Sequence, residues 1–158
     1  LDEKNISNVE LLLADNKTAW NMLHVSCDRI MTYGVVQYFS YDELEHFINE
    51  ASRKINKNGK IVLFLVLHPT RWHLRRMGLL SSDPKLSFVG IIRELVAVLL
   101  KRFVAAVKNV PPDELGYAYY PSAIAEIAAK YKLRMECAWS IYYTDRYNAI
   151  LTPIQDNV

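Results

Sequence analysis

From Ile61 to Leu67 the chain reads IVLFLVL, apolar at every position. A run without polar alternation predicts a strand covered on both faces. Upstream, Leu44, Phe47, Ile48, Ala51 and Ile55 recur at helical spacing and predict a helix with one buried stripe. Ser40 and Glu43 stand three apart as a capping box at its start, and Asp42 and Glu43 suit the positive end of the helix dipole. Asn58-Gly59 closes the connection, with Gly59 expected to supply the permissive backbone where the chain leaves the helix. An apolar strand begins at Arg29–Thr32, and Tyr33–Phe39 is an aromatic-rich turn region. The stretch from Cys27 to His68 is therefore one strand–helix–strand unit. A buried strand fed by a crossover helix predicts a parallel α/β sheet with a right-handed connection.

The flanks follow the same logic. Val9–Ala14 predicts a short strand that ends on Asp15, after a polar Leu1–Asn8 segment with the character of a helix end. Trp20, Met22 and Leu23 follow in a loop. Phe88–Val107 predicts a strongly apolar helix, interrupted by Arg93, Glu94, Lys101 and Arg102. Pro111-Pro112-Asp113 is a rigid break. Pro121 suits the first position of a helix whose buried side is Ile124, Ile127, Ala128 and Tyr131. Leu133–Tyr143 and Tyr147–Thr152 read as two strands joined by a Thr144-Asp145-Arg146 turn.

Composition narrows the function classes. At 158 residues and 51% apolar, the chain is sized for one domain, 1–158, with a real core. Lys and Arg exceed Asp and Glu by two (19 against 17), which gives no electrostatic case for nucleic acid. The two cysteines, Cys27 and Cys137, have no metal-ligand spacing and read as free thiols of a reducing, cytoplasmic protein. No uninterrupted apolar run reaches the roughly 20 residues of a membrane span, so no integral membrane segment is expected.

The Cys27–His68 stretch closely resembles the second half of a class I S-adenosylmethionine-dependent methyltransferase. The matching features are Asp28 near the start of the family's fourth strand, the Val36-Gln37-Tyr38 segment where relatives carry a Leu-His-Tyr-like one, the capped helix, the Lys57-Asn58-Gly59-Lys60 turn and the fifth strand. Gln37 stands where many relatives have His, and Asn58 where many have Pro. The terminal hairpin, its last strand antiparallel, is a second point of agreement. The resemblance implies a Rossmann-like, mostly parallel sheet with helices on both faces, S-adenosylmethionine as cofactor and methyl transfer to a small-molecule acceptor. It also implies site residues. Asp15 would accept from the adenine amino group and the Asn16 amide would meet the adenine ring; from the residues alone, Asp15-Asn16 is a turn. Thr32, Tyr33 and Gly34 would face the methionine portion of the cofactor, with Tyr38 beside it and Gln37 toward the substrate. Core packing is the alternative for Tyr33, Tyr38 and Phe39, and also for Trp20, which could instead lie against adenine. His68, at the carboxyl end of its strand, is the candidate to take a substrate proton, against the commoner structural role of a lone histidine.

Residues 70–110 exceed the family's usual link after the fifth strand and form a helical insertion. Arg71, Trp72, Arg75 and Arg76 would hold an anionic substrate group if the insertion is a lid. Alternatively the 87–108 helix is buried or forms a homodimer, or its apolar face touches a membrane surface. The family's Gly-rich loop and ribose-binding acid have no counterpart here: there are five glycines and no G-x-G-x-G. In the family the first two strands lie between the third and the fourth, so the expectation is a carboxyl-terminal portion of a longer chain, lacking the first strand–helix–strand unit. A non-catalytic methyltransferase-like scaffold or partner subunit is the alternative. A Rossmann-type oxidoreductase fits poorly with the hairpin and the Asp15 pattern.

Overall fold

The computed structural model describes residues 9, 13–15, 18–76, 80, 92, 96–97, 99–100 and 116–155. Its elements run α1 (Ala19–Met22), β1 (Cys27–Tyr33), a 3-10 turn (Val36–Tyr38), α2 (Tyr41–Lys54), β2 (Ile55–Leu67), α3 (Pro69–Arg76), α4 (Pro121–Lys130), β3 (Leu133–Trp139) and β4 (Arg146–Pro153). The sheet order is β1-β2-β4-β3. β1 and β2 are parallel, while β4 is antiparallel to both β2 and β3. This is the predicted α/β architecture, with the crossover helix and the terminal hairpin where the pattern put them.

Local chemistry explains α2. The Glu43 amide donates to Ser40 Oγ at 3.3 Å, and the Ser40 amide donates to Glu43 Oε2 at 2.8 Å, so the capping box is closed from both sides. Leu44, Phe47, Ile48 and Ala51 are buried as predicted. They meet Ile61 and Leu63 of β2, Ile124 and Ile127 of α4, and Ala149 and Leu151 of β4 in one continuous core. The alternate residues Val62 and Phe64 are half-buried.

Three details depart from the pattern. The helix ends at Lys54 with Ile55 as an extended C-cap, and Gly59 lies inside β2 rather than at the helix exit. Gly59 is required for space: a Cβ there would stand 2.7 Å from the Ile55 side chain. The hairpin's first strand stops at Trp139 instead of Tyr143, because Ser140 Oγ accepts from the Tyr142 and Tyr143 amides and starts the turn early. Of the predicted Val9–Ala14 strand, Val9, Leu13 and Ala14 are described, exposed and outside the sheet; residues 10–12 lie outside the described residues. In the predicted Phe88–Val107 helix, Ile92, Val96, Ala97, Leu99 and Leu100 are helical, and the remainder lies outside the described residues.

β2 also carries a bulge. Its register with β4 passes from Leu63–Ala149 to Val66–Tyr147, two residues against one. Leu65 sits there at φ 58°, a strained backbone for a bulky side chain. The Leu65 amide donates to Asn148 Oδ1 at 3.0 Å, and its carbonyl accepts from Arg146 Nη1 at 3.4 Å. The bulge shifts the inward phase of the strand, so that Val66 joins Ile61 and Leu63 in the core. Asn148→Ala should leave the Leu65 amide without its partner and lower unfolding free energy by about 1–3 kcal/mol. Denaturant unfolding of the two proteins checks this; an unchanged midpoint would show that the bulge does not depend on Asn148.

Candidate functional site

Open parallel sheets bind ligands at the carboxyl ends of their strands. Here that rim is made by the ends of β1 and β2 and the segments that follow them. β1 runs in register with β2 to Tyr33–Phe64, and the Gly34 amide donates to the Phe64 carbonyl at 3.2 Å. The chain then turns away at Gly34 with φ 66°, and a Cβ built at Gly34 would meet nothing within 4 Å among the described residues. The backbone is thus open on that side, as a close-approaching ligand requires. Tyr33 is exposed and its ring lies 6.3 Å from that of Phe64. Thr32 is buried, and its Oγ1 has no partner among the described residues.

The 3-10 turn is held by the segment from Gly116 to Tyr120. The Tyr117 amide donates to the Gln37 carbonyl at 2.6 Å. Gly116 permits this, since a Cβ there would stand 2.0 Å from that carbonyl oxygen. The Tyr119 hydroxyl donates to the Phe39 carbonyl, and the Tyr119 amide donates to the Leu67 carbonyl at 2.9 Å. The Tyr147 hydroxyl in turn donates to the Tyr119 carbonyl at 3.0 Å. Burial first pushes both phenols well above their ordinary range, so each remains a neutral donor. Gln37 Oε1 is buried without a partner among the described residues, while Tyr38 beside it is exposed.

His68 follows β2 directly. Its Nδ1 accepts from the Arg71 amide at 3.3 Å, an N-cap contact for α3, and its own amide donates to the Asp145 carbonyl at 3.0 Å. Its ring lies 5.2 Å from Tyr120 and 5.4 Å from Trp139. Burial, then the charge of Arg71, lowers its pKa below the usual 6.5. Nδ1 is committed as an acceptor, so the proton of neutral His68 sits on Nε2.

α3 leans toward the hairpin, away from β1. The Arg71 guanidinium lies 3.7 Å from the Trp139 ring centroid and donates to the Thr144 carbonyl at 3.1 Å. Arg75 pairs with the fully buried Asp145 at 2.8 Å. Both arginines therefore have partners on the β3–β4 turn. Trp72 is half-buried on the same helix, and the Arg76 side chain lies outside the described residues. Asp15 serves α1: its Oδ1 accepts from the Thr18 amide at 2.8 Å and the Thr18 hydroxyl at 2.9 Å. Asn16 lies outside the described residues. Trp20 is buried edge-on to Phe47 with centroids 5.2 Å apart, and the Leu23 carbonyl accepts from Lys54 Nζ, so both belong to the packing of α2; Met22 is exposed. The rim thus gathers Thr32, Tyr33, Gly34, Gln37, Tyr38 and His68, and leaves Asp15, Arg71 and Arg75 with local structural partners.

The arrangement can admit a polar ligand against the Gly34 backbone. Among the described residues no cluster of side chains could hold a metal ion, and no helix is long and apolar enough to cross a membrane. No protein-family model matches the chain, and no curated protein matches it. Solved structures do match. An O-methyltransferase family protein from Burkholderia thailandensis superposes with a TM-score of 0.56 at 14% identity, covering 96% of this chain. The chain carries part of the class I methyltransferase fold. The mitomycin 7-O-methyltransferase MmcR superposes with a TM-score of 0.53 at 12% identity over 91% of this chain. The chain spans about a third of the length of those two structures, 37% and 34% respectively.

His68 should titrate below 6.5 in a histidine-resolved NMR experiment. Because its folded pKa is lowered, its stabilising contribution is complete above 6.5 and is lost as pH falls toward the folded value. A midpoint at or above the free value would contradict the half-buried, capping imidazole.

Proposed function

We propose that this chain supplies the acceptor-side half of an S-adenosylmethionine-dependent methyltransferase site acting on a small molecule. The observation that carries the reading is the open backbone at Gly34, at the carboxyl end of β1, beside two buried side-chain oxygens (Thr32 and Gln37) that lack partners among the described residues. Buried polar atoms without partners fit a bound polar group that satisfies them. In this reading Thr32, Tyr33, Gly34 and Tyr38 hold the methionine portion of the cofactor, and Asp15 with Asn16 meets its adenine. The bound cofactor supplies an electrophilic sulfonium methyl.

The protein's share is alignment and exclusion of water. Gln37, on a turn fixed by Gly116 and Tyr119, orients the acceptor through its amide. The exposed ring of Tyr38 walls the acceptor side, with the 70–110 insertion as a lid. His68 removes an acceptor proton only in the tautomer that frees Nε2, which requires Nδ1 to give up the Arg71 amide. Arg71, Trp72 and Arg75 reach an anionic acceptor only if α3 releases the hairpin.

Calorimetric titration of S-adenosylmethionine and its demethylated product tests the reading, using the longest natural chain that contains this segment. Micromolar binding is expected. Gly34→Val, which fills the open side and strains the backbone, should weaken it about tenfold or more while the circular dichroism spectrum is kept. Absence of binding by the parent chain would favour the scaffold reading.

A further inference from the structure

The opposite end of the sheet holds a cleft that the rim does not use. Its volume is about 480 Å³, a size that accommodates a small metabolite. One wall is residues 57–60 at the start of β2, the other is Arg134 and Glu136 of β3 with Thr152–Gln155 at the end of β4. The first wall exists because the β1–β2 register jumps from Cys27–Ile55 to Arg29–Lys60, which loops residues 56–59 out of the ladder. Asn56 Nδ2 donates to Asp28 Oδ1 at 2.7 Å, and two further contacts hold that loop. Gly59 is buried against Ile55 with no room for a side chain, and Gln155 Nε2 donates to Asn58 Oδ1 at 2.9 Å across the cleft.

Its charge is one-sided. Among the described residues, Lys57, Lys60 and Arg134 line it against one carboxylate, Glu136. Glu136 is already paired with Arg134 at 3.1 Å, and neither lysine has an ion-pair partner among the described residues. The Gln155–Asn58 bond uses the Asn58 carbonyl and leaves the Asn58 amide nitrogen as a further donor. Two ammonium groups, an amide and a guanidinium converging on one small space suit a tetrahedral, multiply charged anion.

We propose that this cleft binds a small phosphorylated anion, at a site separate from the rim where the methionine portion of the cofactor is placed. Calorimetric titration of inorganic pyrophosphate into the protein at low salt tests it. Saturable binding of one pyrophosphate per chain is expected. Lys57→Gln/Lys60→Gln removes two charge-assisted contacts and should weaken binding about tenfold or more. Both lysines are exposed, and a matching circular dichroism spectrum confirms that the fold is kept. S-Adenosylhomocysteine and the Gly34→Val substitution should leave pyrophosphate affinity unchanged, so the result does not depend on the rim. Non-saturating binding, equal affinity in the double variant, or competition by S-adenosylhomocysteine would overturn the proposal.

Discussion

The geometry of the rim depends on the segment from Gly116 to Tyr120. Its backbone amides reach the Gln37 carbonyl on one side and the Leu67 carbonyl on the other, and the Tyr119 hydroxyl takes the Phe39 carbonyl. The turn after β1 and the end of β2 are thereby tied to one short strap, which β4 supports through the Tyr147 hydroxyl. Each bond uses a neutral donor in a largely buried setting, so the strap is insensitive to pH over the physiological range. Gly116 is the enabling residue, because any Cβ there would collide with the carbonyl it serves.

A second constraint concerns β2, which lies between a parallel and an antiparallel neighbour. The bulge at Leu65 adjusts the strand's phase late in its course, so that the core stays filled while His68 emerges at the rim. α3 then starts on the His68 imidazole and is held to the hairpin by Arg71 and Arg75. These contacts join the beginning of the 70–110 segment to the β3–β4 turn rather than to β1. The arginines that read as an anion clamp along the chain also brace α3 against the hairpin.

Local signals in the sequence were dependable. The Ser40–Glu43 box, the apolar stripe of α2 and the terminal hairpin form as their patterns imply, because each depends on neighbours a few residues away, while the IVLFLVL strand forms with a bulge at Leu65 and with Val62 and Phe64 only half-buried. What stayed hidden depends on distant partners. The Leu65 bulge rests on Asn148, and the roles of Arg71 and Arg75 rest on Thr144, Trp139 and Asp145; periodicity carries no trace of such pairings. Gly59 was legible as a constrained position, yet its constraint is steric contact with Ile55 and not helix termination. At the site, Gly34 and its neighbours came from a family resemblance. The Asp15 side chain accepts from Thr18 just before α1, the local turn that its short polar context alone suggested.

The central claim is that the carboxyl end of β1 receives the cofactor's methionine portion. Its most direct test is a titration of S-adenosylhomocysteine followed by the backbone amide resonances of the isotopically labelled protein. The account predicts saturable shifts at Thr32, Gly34 and Gln37, with the Lys57 and Lys60 amides unmoved. Saturable shifts elsewhere, with those three resonances unchanged, would contradict it.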